Sequence, residues 1–111
     1  MKRKTSDVNG KVYKLVRKIP KGKVTSYGII ARKLRTSARA VGQIMKRNPY
    51  RNVPCYRVVM SNGEVGGFRG SREKEKIRLL RKEGIMLTKG LGKRKINKKF
   101  FYYFNPIARN L

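Results

Sequence analysis

The chain has no histidine and no tryptophan, one cysteine and five acidic residues. Without histidine there is no imidazole base and no His-ligated metal. A lone Cys55 can neither close an intrachain disulfide nor join a thiolate cluster for zinc, and it points to a reducing, cytoplasmic compartment. Asp7, Glu64, Glu73, Glu75 and Glu83 are the carboxylates on offer to Mg²⁺, too few for the convergent ligands of a two-metal nuclease or polymerase. No apolar run approaches a membrane span, and Lys2 to Lys4 lead into no apolar signal core. The 111 residues fit one domain able to bury roughly two-thirds of its unfolded surface.

Basic residues fill the space that these absences leave. Thirty-one Lys and Arg give a formal net charge of +26, which demands a polyanionic partner, because each phosphate neutralised releases condensed counterions. DNA or RNA is the first candidate. An anionic membrane surface ranks second, since the cations are spread along the chain and do not form one face of a single amphipathic helix. Residues 1–63 hold 17 basic residues and one acidic, Asp7, whereas the other four acids lie between Glu64 and Glu83. The first half is the expected nucleic-acid face.

Val12, Leu15, Val16 and Ile19 recur at helical spacing, with Ser6 or Asp7 as N-cap and Pro20 ending the run. A short extended piece, Lys23 to Thr25, precedes Ser26, the N-cap of a helix with Tyr27, Ile30, Ala31 and Leu34 as its apolar stripe. Thr36 or Ser37 caps a third helix, with Ala38, Val41, Ile44 and Met45 on one side, ending at Asn48-Pro49. Two short helices so joined read as a helix-turn-helix. Val53 to Met60 is rich in β-branched residues, Ser61-Asn62-Gly63-Glu64 is a hairpin turn, and Val65 to Phe68 is the return strand. Ser71 opens a last helix with Ile77 and Leu80 inward and Gly84 as its C′ residue. The expected class is mostly α with a small β-hairpin, a winged-helix-like helix-turn-helix domain. Residues 89–111 form a basic tail, with five aromatics at Phe100 to Phe104, suited to pack as a strand or small hydrophobic anchor.

Cys55 is the one strong nucleophile of the chain near neutral pH. A lone intracellular cysteine is commonly just a small buried apolar side chain, but nearby cations favour the thiolate, and Pro54-Cys55-Tyr56-Arg57-Val58 sits in a strongly positive chain. In order, the sequence offers Ser26-Tyr27, Ala38-Arg39-Ala40-Val41-Gly42, Arg47-Asn48-Pro49, Pro54-Cys55-Tyr56-Arg57-Val58-Val59, Gly63-Glu64-Val65-Gly66-Gly67-Phe68 and Glu83-Gly84. This series over residues 7–86 resembles the DNA-binding and catalytic domain of the O6-alkylguanine-DNA alkyltransferases.

The resemblance implies a suicidal repair reaction on double-stranded DNA containing O6-alkylguanine, by a monomer without cofactor or metal. Residues 1–88 would be the alkyltransferase domain and 89–111 the tail. A base inside a duplex hides its O6 substituent, so the nucleotide must be rotated out of the stack. Arg39, at the start of the second helix of the helix-turn-helix, would take the place of the extruded base. Ala38, Ala40 and Gly42 would let that helix approach the minor groove, and Gln43 and Arg47 complete the DNA-binding set. Cys55 would accept the alkyl group. Tyr27 would donate a hydrogen bond to the purine, main-chain groups of Cys55 and Val58 would accept from its exocyclic amine, and Phe68, Arg69 and Gly70 would close the pocket. Asn48 would fix the turn beside the site.

Three residues depart from the family pattern. Tyr56 stands where the family has the histidine that relays a proton from cysteine, through water, toward a glutamate matched by Glu83. Phe68 replaces a tyrosine and Arg69 a serine, which bears on pocket polarity. Family members also commonly carry an N-terminal domain, whereas few residues here precede the first helix. Two other readings stand beside repair. One is an alkyltransferase-like protein that flips and marks the lesion, favoured by Tyr56 and opposed by Cys55. The other is a basic architectural winged helix.

Overall fold

A computed structural model describes residues 2–66, 71–88 and 95–104, with side chains from residue 8 onward apart from 71 and 72. Helix α1 spans Lys2–Arg17. It begins before the expected caps, so Ser6 and Asp7 lie inside it; no proline interrupts this stretch before Pro20. Its row of Val12, Leu15, Val16 and the following Ile19 is buried.

Strand β1, Thr25–Ser26, leads directly into α2, Tyr27–Leu34. The Ser26 hydroxyl accepts the Ile29 N–H at 3.0 Å, satisfying one of the orphan donors of the first turn. Arg35 ends α2 in the left-handed conformation, φ 59°. Ser37 then caps α3, Ala38–Lys46, by accepting the Ala40 N–H at 3.0 Å. Val41, Ile44 and Met45 of α3 pack with α1 and α2 and, with Val53, Val58 and Phe104, form one hydrophobic cluster. The expected helix-turn-helix is thus α2 and α3.

The expected hairpin forms only at its turn. Met60 N–H donates to the Glu64 carbonyl and Gly63 N–H to the Met60 carbonyl, each at 2.9 Å. Beyond it Gly66 turns left-handed at φ +45° and no strand follows at Val65–Gly66. Residues 67–70, the rest of the expected return strand, lie outside the described residues. The 53–60 stretch is also mostly not strand. Cys55–Arg57 is a 3-10 turn, and only Val58–Val59, β2, is extended. Strand β2 pairs parallel with β1, Thr25 opposite Val58 and Ser26 opposite Val59.

Side-chain alternation along β2 sends Val58 into the first cluster and Val59 into a second, with Val24, Val65, Leu80, Ile85, Ile96 and Phe101. Helix α4, Ser71–Lys82, closes that second cluster through Leu80 and ends at Gly84, φ +90°. The segment 95–104 lies along the other edge of β1. Val24 N–H donates to the Phe100 carbonyl at 2.9 Å and Tyr102 N–H to the Val24 carbonyl at 2.6 Å. Phe101 enters the second cluster and Phe104 the first, so this part of the aromatic tail is the hydrophobic anchor of the two alternatives, joined to Val24 by an isolated bridge at Phe101 and not as a strand.

Candidate active site and DNA-reading helix

Cys55 opens the 3-10 turn, half-buried, and its N–H donates to the Val53 carbonyl at 2.8 Å. The loop before it is fastened by Asn48, which accepts the Tyr50 N–H at 2.9 Å and donates to the Val53 carbonyl at 3.4 Å. The Cys55 carbonyl takes the Val58 N–H. One lone pair on that oxygen is left for a ligand, while the Val58 side chain is buried in the core.

Tyr56, Arg57 and Glu83 form one network. The Tyr56 hydroxyl donates to Glu83 Oε2. Arg57 grips both carboxylate oxygens, Nη2 to Oε2 at 2.6 Å and Nε to Oε1 at 3.0 Å, and its Nη1 donates to the Ile19 carbonyl at 3.0 Å. The Gly22 N–H adds a bond to Oε1 at 3.0 Å. The Cys55 turn is thereby tied to the end of α1 and the end of α4. Burial alone would raise the Glu83 carboxyl, but the bonds from Arg57, Tyr56 and Gly22 outweigh it and hold it below its usual value. Burial and then the bond to Glu83 push the Tyr56 phenol up, so Tyr56 is a neutral donor at physiological pH.

Tyr27 and Lys76 complete the surroundings of Cys55. Burial, with a contribution from the Cys55 charge, pushes the Tyr27 phenol up to about 12, which keeps its proton available for donation. Lys76 is 1% exposed, lies 5.8 Å from the centre of the Tyr27 ring and donates to the Gly66 carbonyl at 3.2 Å. Burial drives its ammonium down to about 8 against the opposing pull of the Cys55 and Glu73 charges. Sequence reading missed Lys76 and Arg57. The available signal for Lys76 was its place one helical turn before buried Leu80, on the same row of α4.

On α3, Ala38, Arg39 and Gln43 are exposed, Ala40 and Gly42 half-buried, and Arg47 exposed as the residue that ends the helix. A Cβ at Gly42 would meet no atom within 4 Å, so packing within the chain does not require glycine there. Arg47 also borders a recess of about 450 Å³, shared with Tyr13, Arg17 and Tyr50, which contains none of Cys55, Tyr27 and Lys76. Phe68, Arg69 and Gly70, the expected pocket wall, lie outside the described residues. Among the described residues no group of three or more metal-ligating side chains occurs, and no helix is long and apolar enough to cross a membrane.

A helix-turn-helix beside a cysteine turn braced by a buried glutamate agrees with what sequence comparison finds. Residues 7–85 match the family described as 6-O-methylguanine DNA methyltransferase, DNA binding domain. The chain belongs to this family. A methylated-DNA–protein-cysteine methyltransferase of Thermococcus sibiricus is 45% identical over 83 residues, covering 73% of this chain and 46% of the relative. A DNA base-flipping protein of Thermus thermophilus is 42% identical over 77 residues, covering 68% and 52%. The chain thus spans about half the length of these two curated relatives. The crystal structure of S. pombe Atl1 with damaged DNA containing O6-carboxymethylguanine superposes with a TM-score of 0.78 at 36% identity, covering 87% of this chain and 95% of that one.

Proposed function

We propose that this alkyltransferase-family chain repairs double-stranded DNA by moving one alkyl group from O6 of guanine to Cys55, after the nucleotide has been rotated out of the duplex. The observation that carries the reading is the setting of Cys55, a half-buried thiol on a braced turn with a buried ammonium, Lys76, and a protonated phenol, Tyr27, beside it. The Lys76 ammonium offers positive charge to the sulfur that attacks. That sulfur bonds to the alkyl carbon as the carbon–O6 bond breaks, and the bonding pair stays on guanine. Tyr27 donates to the purine as that charge develops. The thiol proton passes by way of water to the Tyr56 oxygen as Tyr56 gives its own proton to Glu83, so no phenolate forms, and the guanine anion takes its proton from water. The thioether is stable, so each molecule acts once.

Arg39 fills the space of the extruded base, with Ala38, Ala40 and Gly42 allowing α3 into the minor groove and Gln43 and Arg47 on its flank. The test is to incubate the chain with an O6-methylguanine duplex and weigh the peptide containing Cys55. One added methyl per molecule is expected, and none on Cys55→Ser, which should still bind. Methyl removal beyond that stoichiometry defeats the suicide mechanism.

A second reading, lesion binding without transfer, is supported by the likeness to the Thermus thermophilus base-flipping protein and by Tyr56 in the histidine position. In that case the lesion duplex binds more tightly than the undamaged one while the Cys55 peptide keeps its mass.

A further inference from the structure

Three turns distant in sequence meet at one end of the molecule, and each brings lysine. Gly22 N–H donates to Glu83 Oε1 at 3.0 Å, the Lys23 ammonium donates to the Lys99 carbonyl at 3.2 Å, and Val24 N–H donates to the Phe100 carbonyl at 2.9 Å. These bonds gather the turn after α1, the end of α4 and the 3-10 turn Lys98–Phe100. With them come Lys18, Lys21, Lys82, Lys98 and Lys99, all exposed. Asn97 accepts the Lys99 N–H at 2.8 Å and so fixes the backbone that carries the last two.

The carboxylate at this end does not balance them. Glu83 is 6% exposed at its side chain, and its oxygens are occupied by Tyr56, Arg57 and the Gly22 N–H. Among the described residues, five exposed ammonium groups therefore stand on these adjoining turns, and the other carboxylate within electrostatic reach of them, Glu75 near Lys82, is already paired with Arg78. Like charges on adjoining turns repel, and salt at 0.1 M largely screens them only beyond about 10 Å. What such a cluster fits is a row of phosphates. Membrane insertion would need an apolar face turned outward, and here Phe101 is buried and Phe100 half-buried in the core, which leaves Tyr103 as the exposed aromatic of the segment.

We propose that this lysine end binds a stretch of DNA phosphate backbone beyond the one read by α3, which makes segment 95–104 a second DNA-contacting element. That segment lies outside residues 7–85, the stretch matched to the family. The proposal rests on DNA as the partner, and it does not depend on transfer to Cys55. The phosphates belong either to the same duplex away from the lesion or to a second duplex.

The test uses the full chain, undamaged duplex, and the triple variant Lys21→Gln, Lys98→Gln, Lys99→Gln. The slope of log affinity against log salt should become shallower by about 2.7, three contacts at about 0.9 each. Bound DNA should also slow acetylation of these three lysines in the parent chain. Energy transfer between two differently labelled duplexes, lost in the variant, marks a second duplex; a slope change confined to long duplexes marks the same one. An unchanged slope, or lysines acetylated as fast with DNA as without, overturns the proposal. So does an unchanged slope with lost binding to phosphatidylglycerol vesicles, which assigns the cluster to membranes. Because undamaged duplex carries no alkyl group, failed methyl transfer leaves all these outcomes readable.

Discussion

The Tyr56 hydroxyl gives its hydrogen to Glu83 Oε2, so its lone pairs, and not its proton, are what it can offer to Cys55. This polarity fits a relay that runs outward from the thiol: the phenol oxygen accepts one proton as its own moves to the carboxylate. Ionising an unperturbed phenol at pH 7 would cost roughly 4 kcal/mol, and burial and the bond to Glu83 raise that cost further. A concerted hand-over forms no phenolate, but it leaves the proton on a carboxyl held below its usual value, so Glu83 can carry that proton only in passing.

Tyr56→Phe keeps the ring and removes only the hydroxyl. Methyl transfer to Cys55 should slow, and Glu83→Gln should give a similar loss that does not add to the first, because both act in one chain. Single-turnover rates measured from pH 6 to 9 decide it. A parental rate in Tyr56→Phe across that range leaves Tyr56 as packing alone and assigns thiolate formation to the surrounding cations.

The Arg57–Glu83 pair also sets an acid limit on the fold. The folded Glu83 carboxyl is held below its usual value, so its contribution is present above the unfolded pKa, about 4.3, and is lost as pH falls through the folded one. Stability should therefore drop on acidification through that window. Glu83→Gln should be less stable by about 3 kcal/mol at neutral pH, since it leaves the largely buried Arg57 without its charge partner, and should show less of the acid-dependent loss. Denaturant midpoints for the two chains at several pH values test this; parallel curves would count against it.

Helix α3 offers a way to separate folding from DNA reading. Gly42 has open space where a Cβ would stand, so Gly42→Ala should raise stability by up to about 1 kcal/mol through helix propensity. Gly42→Leu should fold normally but bind duplex more weakly, because its bulk faces the partner. Arg39→Ala should slow repair in duplex more than attack on free O6-benzylguanine. Equal losses on both substrates would remove Arg39 from the flipping step.

The helix-turn-helix was legible because its signals are local: apolar spacing in α2 and α3, with Ser26 and Ser37 as caps. The Cys55 neighbourhood was legible through the Pro54-to-Val59 run and Glu83-Gly84. The strand pairing was not, since β1 meets β2 across 33 positions, Thr25 to Val58, and Val24 just before β1 bridges to Phe101 of the tail, and no periodicity encodes partners that far apart. The predicted hairpin strands are missing over their described residues for a different reason. Pro54 and the 3-10 turn break the β-branched run, and Gly66 departs from extended backbone just after the turn. Lys76 escaped notice because a lysine among Glu73, Lys74 and Glu75 reads as a solvated helix face.

That buried lysine gives the sharpest test of a division between stability and chemistry. A folded ammonium with its pKa lowered to about 8 binds fewer protons than the unfolded chain between there and about 10.4, so stability should rise with pH through that window. Lys76→Met keeps much of the volume and removes the charge. It should raise stability near pH 7 by about 1–3 kcal/mol, as replacing a buried charge with a packed apolar group often does, and should flatten the alkaline rise. The same change should slow methyl transfer to Cys55, because the thiolate loses its buried cation. Lys76→Arg, which retains a charge, should recover part of the rate if its larger head is accommodated. A Lys76→Met chain that transfers methyl at the parental rate would show that Lys76 shapes the pocket without assisting the thiol.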